Sequence, residues 1–347
     1  MARAMQSHFL AMGWFNNIFH LSVYTRIVTH NDLDGAFSAA LCAVVHGVEP
    51  VVFTGPNVVS RTGFSVTKSD IVCDLPYPGE CGLWFDHHAG NLEELKRLGT
   101  DTGALPGSFA PEKSCARVVH NFYKDEYELP AFYEDTVVEV DKIDSFDFAS
   151  VQEWRQETPA RVINESLRAR FKSLRDEEDY LRSLIDRLIE RGMAEVASDP
   201  DVRANFLDYL KEEERMLDVI RKASLFHPLD TEREVAIIDL TGFSKRMNVV
   251  RNLAQIIYPG IRGVFLIQNL FEAGVKSTHF SISGSLTIRS NGAPRDIGEI
   301  MRVLNIGDGH SGAGSGHVYC KSKAEMERKK IETLEKVVTL WRAQAKA

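Results

Sequence analysis

The chain has 347 residues, 44% of them hydrophobic and 26% charged, which suits two globular domains with separate cores. A formal net charge of -8 argues against gripping long duplex DNA through its phosphates, yet leaves room for a small phosphorylated substrate in a locally basic cleft. Five scattered cysteines (Cys42, Cys73, Cys81, Cys115, Cys320) form no Cys-x-x-Cys pair, so the pattern fits small buried thiols in a reducing cytoplasm better than a disulfide framework.

The first stretch, Met1 to Leu21, carries Phe9, Leu10, Met12, Trp14, Phe15, Ile18 and Phe19. Gly13, Asn16, Asn17 and His20 interrupt the apolar core of a signal peptide, so it reads as an amphipathic segment packed on the first domain. No later run approaches the roughly 20 apolar residues of a membrane span, and none is expected.

From Tyr24 to Phe148, short apolar runs alternate with helical patterns, the mark of a parallel sheet with crossovers. Strands are expected at 26–29, 50–53, 70–73 and 82–85, and helices at 35–46, 92–98, 114–123 and 131–140. From Glu153 to Phe226, Leu181, Leu184, Ile185 and Leu188 recur at helical spacing among interleaved acids and bases. That reads as a solvated helical connector rather than a nucleic-acid-binding arm.

After His227-Pro228 a second α/β unit begins, with strands at 235–240 and 263–268 around a helix at 247–257. Strands at 278–283 and 286–289 follow, with Gly284 between them as a bulge or kink. A helix at 296–304 then leads into a glycine-rich loop at 307–317 and a closing amphipathic helix at 323–341. The expected class is α/β, in four parts. These are a parallel-sheet domain (22–150), a helical connector (151–228), a smaller mixed-sheet domain (229–320) and a C-terminal helix (321–347).

The chemistry concentrates at the ends of the first strands. His30-Asn31-Asp32-Leu33-Asp34-Gly35 stands where a strand gives way to a buried helix. A histidine and two carboxylates at alternate positions there are costly to bury without a partner, and the carboxyl edge of an α/β sheet is where such partners bind. Asp74, Asp86-His87-His88 and Asp141 each follow further apolar runs. Several carboxylates offset the charge of two divalent cations about 4 Å apart. Histidine mixed with carboxylate favours manganese, iron or cobalt over an all-oxygen magnesium site.

This order of clusters resembles the DHH phosphoesterase superfamily, whose name is the tripeptide Asp86-His87-His88. The resemblance extends to the DHH-associated domain through Thr287-Ile288-Arg289-Ser290 and the glycine-rich run ending in His310. It implies a fold of two domains and a hydrolase of phosphate esters or anhydrides. His30 and Asp32 would hold one manganese, and Asp34, His87 and Asp141 the other, with Asp74 bridging; magnesium or cobalt are alternatives. Asp144, three residues on, competes with Asp141 for that place. The catalytic set would be Asp74, Asp86 and His88, Asp86 orienting a histidine and His88 touching the substrate phosphate. Arg289, Ser290, Gly309 and His310 would hold the substrate with His88.

The implied substrate is a short oligonucleotide or a dinucleotide, with polyphosphate as the alternative. A homodimer is a further expectation, and a membrane partner is not. A catalytically silent nucleotide sensor would lack a ligand, and none is lost here. The chain departs from the family at Asp308, a carboxylate beside the presumed anion site, and in its long charged connector.

Overall fold

A computed structural model describes residues 23–59, 64–290 and 294–344. The expected N-terminal amphipathic segment lies outside the described residues.

The first unit is built on five parallel strands: β1 (Arg26–Thr29), β2 (Val51–Phe53), β3 (Asp70–Cys73), β4 (Leu83–Asp86) and β5 (Gly107–Phe109), in the order β2-β1-β3-β4-β5. Ile27 lies beside Val51 on one side and Ile71 on the other. Residues 27–29 and all of β3 are buried, as both faces of a helix-covered parallel sheet must be. The crossovers are α1 (Leu33–His46), α2 (Ala89–Arg97), α3 (Cys115–Tyr123) and α4 (Ala131–Asp144). Because β2 and β3 leave β1 in opposite directions, a crevice opens between the carboxyl ends of β1 and β3, the place where such sheets bind ligands.

The segment expected to be a solvated connector is largely core. It contains α5 (Pro159–Ser166), α6 (Leu174–Glu190) and α7 (Pro200–Ala223). Leu181, Leu184, Ile185 and Leu188 on α6 pack with Ala36, Phe37 and Ala40 of α1 in one hydrophobic cluster. The acids and bases between them mark only the outer face. α7 belongs to both halves of the molecule: Val202 and Phe206 complete the first core, while Tyr209, Met216 and Ile220 join the second. At its middle, buried Glu213 is held by both terminal nitrogens of Arg155.

The second unit is a six-stranded mixed sheet in the order β10-β11-β9-β8-β7-β6. β6 (Ser224–Leu225) follows α7, and β7 (Val235–Asp239) and β8 (Gly263–Glu272) are parallel neighbours. β8 turns through Ala273 and Gly274, both at positive φ, into β9 (Val275–Leu286). Then come α8 (Ile297–Val303), the hairpin β10 (Gly307–His310) and β11 (Ala313–Val318), and α9 (Lys323–Gln344). Phe265, Ile267, Phe280 and Ile282 pack under α8 and α9, while Ala236, Ile238 and Val264 pack under the end of α7.

Three expectations change here. Residues 247–250 are not helical; only a 3-10 turn, Arg251–Leu253, and the short helix Ala254–Ile257 remain, with Met247 N donating to Gln268 Oε1 instead. Gly284 neither bulges nor breaks its strand. A Cβ there would stand 2.5 Å from Phe265 Cε1, so the glycine makes room for an aromatic ring, and the register shift lies at Asn269/Phe271 of β8. Of the strand expected at 286–289, residues 288 and 289 lie instead in a 3-10 turn, Ile288–Ser290, where Ile288 N donates to Gln255 Oε1.

The glycine-rich run is likewise a hairpin and not a loop. Gly307 pairs with Gly316 and Gly309 with Gly314. The glycines let α8 lie directly on it, since a Cβ on Gly298 would stand 2.2 Å from Gly309 O. No helix among the described residues is long and apolar enough to cross a membrane.

Candidate metal centre and facing cleft

The site begins with local backbone chemistry at the end of β1. Asp32 caps α1, its Oδ1 accepting from Gly35 N at 2.9 Å. The cap leaves Oδ2 free to meet His30 Nδ1 at 2.6 Å. Gly35 is required because a Cβ would fall 2.3 Å from His30 O. Asp34, the second residue of α1, is buried, and its two oxygens accept from Cys115 N and Ala116 N at 2.7 Å each. The first amides of α3 thus hold this carboxylate in place.

Asp74 follows β3 in the left-handed region, with φ of 56°. Its Oδ2 lies 3.6 Å from His30 Nδ1, and its Oδ1 lies 3.7 Å from both His87 Nε2 and His88 Nδ1. His87 Nδ1 is 3.2 Å from Glu112 O. A carbonyl only accepts, so Nδ1 carries the proton and Nε2 presents a lone pair inward. Nε2 reaches Asp34 Oδ2 at 3.7 Å and Asp144 Oδ2 at 3.4 Å. Both Asp74 Oδ1 and His87 Nε2 are buried with no hydrogen-bond partner. Two orphaned acceptors aimed at each other are what a cation between them would satisfy.

Three overlapping groups are spaced to hold a metal ion: His30, Asp32 and Asp74; Asp34, His87 and Asp144; and Asp74, His87 and His88. Asp141 belongs to none of them. It faces away on α4, where Ser114 Oγ donates to its Oδ1 at 2.7 Å and Arg117 Nε to its Oδ2 at 2.9 Å. Asp144, three residues on, takes the place for which the two aspartates competed. Asp86 stands behind the cluster. Its Oδ1 accepts from His87 N, His88 N and His88 Nδ1, at 2.9, 3.2 and 2.9 Å, and its Oδ2 accepts from Asn91 at 2.7 Å. Asp86 therefore orients the His88 ring, whose Nε2 is left free.

The electrostatics match crowded carboxylates without a counter-ion. Burial, then the neighbouring carboxylates, push Asp34 and Asp74 well above the usual aspartate range and Asp144 up to about 7. For Asp32, burial works upward, but the His30 bond and the Gly35 amide outweigh it and hold the group low. Burial, then the His88 ring beside it, lowers His87 and favours its neutral, ligating form.

Across from this edge stands the hairpin β10–β11. His310 feels the charge of His88, and Asp308 that of Arg97. Gly309, Asp308, Gly314, Ser315, Ser283 and Arg251 line a cavity of about 270 Å³. Asp308, the family departure, is neutralised at Oδ1 by Arg302 Nη1 at 2.7 Å. Arg289 is exposed on the 288–290 turn, makes no ion pair among the described residues and is not part of this lining. Ser290 is buried and donates to Arg262 O at 2.6 Å, so it pins the turn.

Sequence reasoning missed Arg251. Its Nε donates to Ser285 Oγ at 3.0 Å, and Ser285 Oγ in turn donates to Asn252 Oδ1 at 2.5 Å. No carboxylate pairs with it among the described residues, and burial lowers its pKa. An irregular segment between strands gives no periodic signal for such a residue.

No protein-family model and no curated protein matches the chain. Solved structures do. The pGpG-specific phosphodiesterase PggH of Vibrio cholerae aligns over 92% of this chain and 99% of its own, with a TM-score of 0.68 and 21% identity. An exopolyphosphatase-related protein of Bacteroides fragilis aligns over 99% of this chain and 98% of its own, with a TM-score of 0.52 and 12% identity. A DHH domain described as a member of the s1p family of ribosomal proteins covers 91% of this chain and 86% of its own, at 0.50 and 14%. The overall architecture agrees: this chain has the fold of these three proteins, one of them described as a DHH domain.

Proposed function

We propose that the protein is a manganese-dependent phosphoesterase that hydrolyses short oligonucleotides or dinucleotides. The observation that carries this reading is the facing pair of orphaned acceptors, Asp74 Oδ1 and His87 Nε2, 3.7 Å apart among Asp34, Asp144 and His88. His30 and Asp32 would hold one cation, Asp34, His87 and Asp144 the other, and Asp74 would reach both. When bound, such a pair of cations supplies Lewis acidity and a water of lowered pKa.

The chain's own residues do the rest. Glu112 O and Asp86 hold the His87 and His88 rings in single tautomers. His88 Nε2, free of the cluster, faces the substrate phosphate. Arg251, with Gly309 and His310 opposite, holds the remainder of the substrate, and Arg289 meets it at the rim. The Asp308–Arg302 pair leaves the cleft without a bare acidic group to repel an anion.

The similar fold of a pGpG-specific phosphodiesterase supports the dinucleotide class, and that of an exopolyphosphatase-related protein keeps polyphosphate as the competing substrate. The test is turnover of purified protein with manganese, magnesium or cobalt on dinucleotides, oligoribonucleotides two to ten residues long and polyphosphate. Release of mononucleotides from dinucleotides at the highest kcat/KM is expected. Preference for polyphosphate would overturn the substrate class, and no turnover with any metal would overturn the enzyme.

A further inference from the structure

A second cavity, of about 390 Å³, lies in the second unit outside the metal cluster and the facing hairpin. Its walls come from the end of α7, the turn after β6 and the residue after the short helix Ala254–Ile257, and include Ser224, Phe226, His227, Asp230, Arg233 and Tyr258. It is an open hollow rather than an enclosed pocket, wide enough to admit a small molecule.

Three features point to a ligand that is both aromatic and anionic. First, the Arg233 guanidinium lies 4.2 Å from the centre of the Phe226 ring, and no carboxylate pairs with it among the described residues. The nearby carboxylate is spent elsewhere: Asp230 accepts from Glu234 N at 3.1 Å and Val235 N at 2.8 Å. Arg233 is also held at a φ of 53°, in a turn closed by its own N–H on Asp230 O at 3.0 Å. An exposed guanidinium laid on a ring, with no carboxylate on it among the described residues, is open to an incoming anion.

Second, Tyr258 meets Phe226 edge-on at 5.3 Å, so the aromatic wall is a pair of rings. Third, His227 in the same wall accepts from Leu229 N through its Nδ1 at 3.2 Å, so its Nε2 carries a proton to donate. A bare phosphate would make no use of the rings. A purely apolar ligand would leave the guanidinium and the imidazole unanswered.

We infer that this cavity binds a nucleoside monophosphate, its base against Tyr258 and the Arg233–Phe226 stack, and its phosphate on Arg233 and His227. The site would lie at the end of the one helix that reaches into both cores. This inference does not depend on the hydrolytic reading, because the cavity shares no residue with the cleft.

The test uses the full chain carrying Asp74→Asn with chelator present, so that the metal cluster neither turns over nor holds phosphate. AMP, GMP and inorganic phosphate are titrated by calorimetry. Saturable binding of at least one nucleotide is expected, with no comparable binding of phosphate alone. Phe226→Leu and Arg233→Gly should each weaken it by at least about tenfold. Glycine accepts the positive φ, so the turn survives the second change, and an unchanged Tm confirms the fold. Arg251→Ala should leave the affinity unchanged. Absence of saturable binding, equal binding of phosphate, indifference to both Phe226→Leu and Arg233→Gly, or loss with Arg251→Ala would each overturn the proposal.

Discussion

His87 Nε2 and Asp74 Oδ1 face each other at 3.7 Å, both buried and both without a hydrogen-bond partner. Two acceptors in that arrangement repel unless a proton or a cation lies between them. Asp74→Asn should therefore abolish turnover and lower the manganese stoichiometry, measured by elemental analysis after gel filtration. Full occupancy in this variant would remove Asp74 from the centre.

The two aspartates of α4 should separate cleanly. Asp144→Asn is expected to cost metal occupancy without destabilising the metal-free fold. Asp141→Ala removes one of the two carboxylates that hold Arg117 and frees Ser114, and should destabilise the fold by about 1–3 kcal/mol in urea while manganese still binds. The reverse pattern would restore Asp141 as the ligand.

The crowded carboxylates set a pH dependence for the metal-free protein. Asp144 sits at about 7 against an ordinary 3.8, with Asp34 and Asp74 also raised. The folded state thus binds their protons more tightly than the unfolded chain does. The stability this contributes is complete below about 3.8 and is lost as pH rises through about 7. Chelated protein should show a falling Tm across that window by calorimetry, manganese should restore it at the upper end, and Asp144→Asn should flatten the slope. A slope unaffected by Asp144→Asn would assign the effect to other groups.

Arg251 should matter for grip rather than for chemistry. Arg251→Ala is expected to raise KM on a dinucleotide by about 30-fold, the equivalent of roughly 2 kcal/mol of charge-assisted bonding. Arg289→Ala, at the exposed turn, should have a smaller effect of the same kind. Steady-state kinetics at saturating manganese checks both, and a loss confined to kcat would contradict the assignment.

In the second sheet, Gly284→Ala would drive a methyl to 2.5 Å from Phe265 Cε1. Overpacking of this sort should cost about 1–3 kcal/mol by denaturant unfolding, because Phe265 is itself fully buried and has little room to move.

Four of the five strands of the first unit were legible, β1 and β3 best because Ile27, Val28, Ile71 and Val72 form short unbroken apolar runs, whereas β5, half-buried throughout, gave no such run. His30, Asp32, Asp34, Asp74 and His87 were legible for a related reason: charged groups directly after such runs have no ordinary use. Asp141 and Asp144 could not be told apart in sequence, being equally acidic and only three residues apart. Which of the two faces the cluster depends on Ser114 and Arg117, and no local pattern reveals that. The glycines of 307–316 read as a loop because flexibility and close backbone approach call for the same residue. Arg251 was invisible, its importance resting on a carboxylate that is missing around it in space.

α7 gives Val202 and Phe206 to one core and Met216 and Ile220 to the other, over a single unbroken helix. The chain is therefore not two beads on a string. A cut at either end of 200–223 deprives one bead of its plug, so that half should not survive expression alone as a folded fragment. Loss of either core should propagate along the shared rod to the other, giving one melting transition where the sequence suggests two.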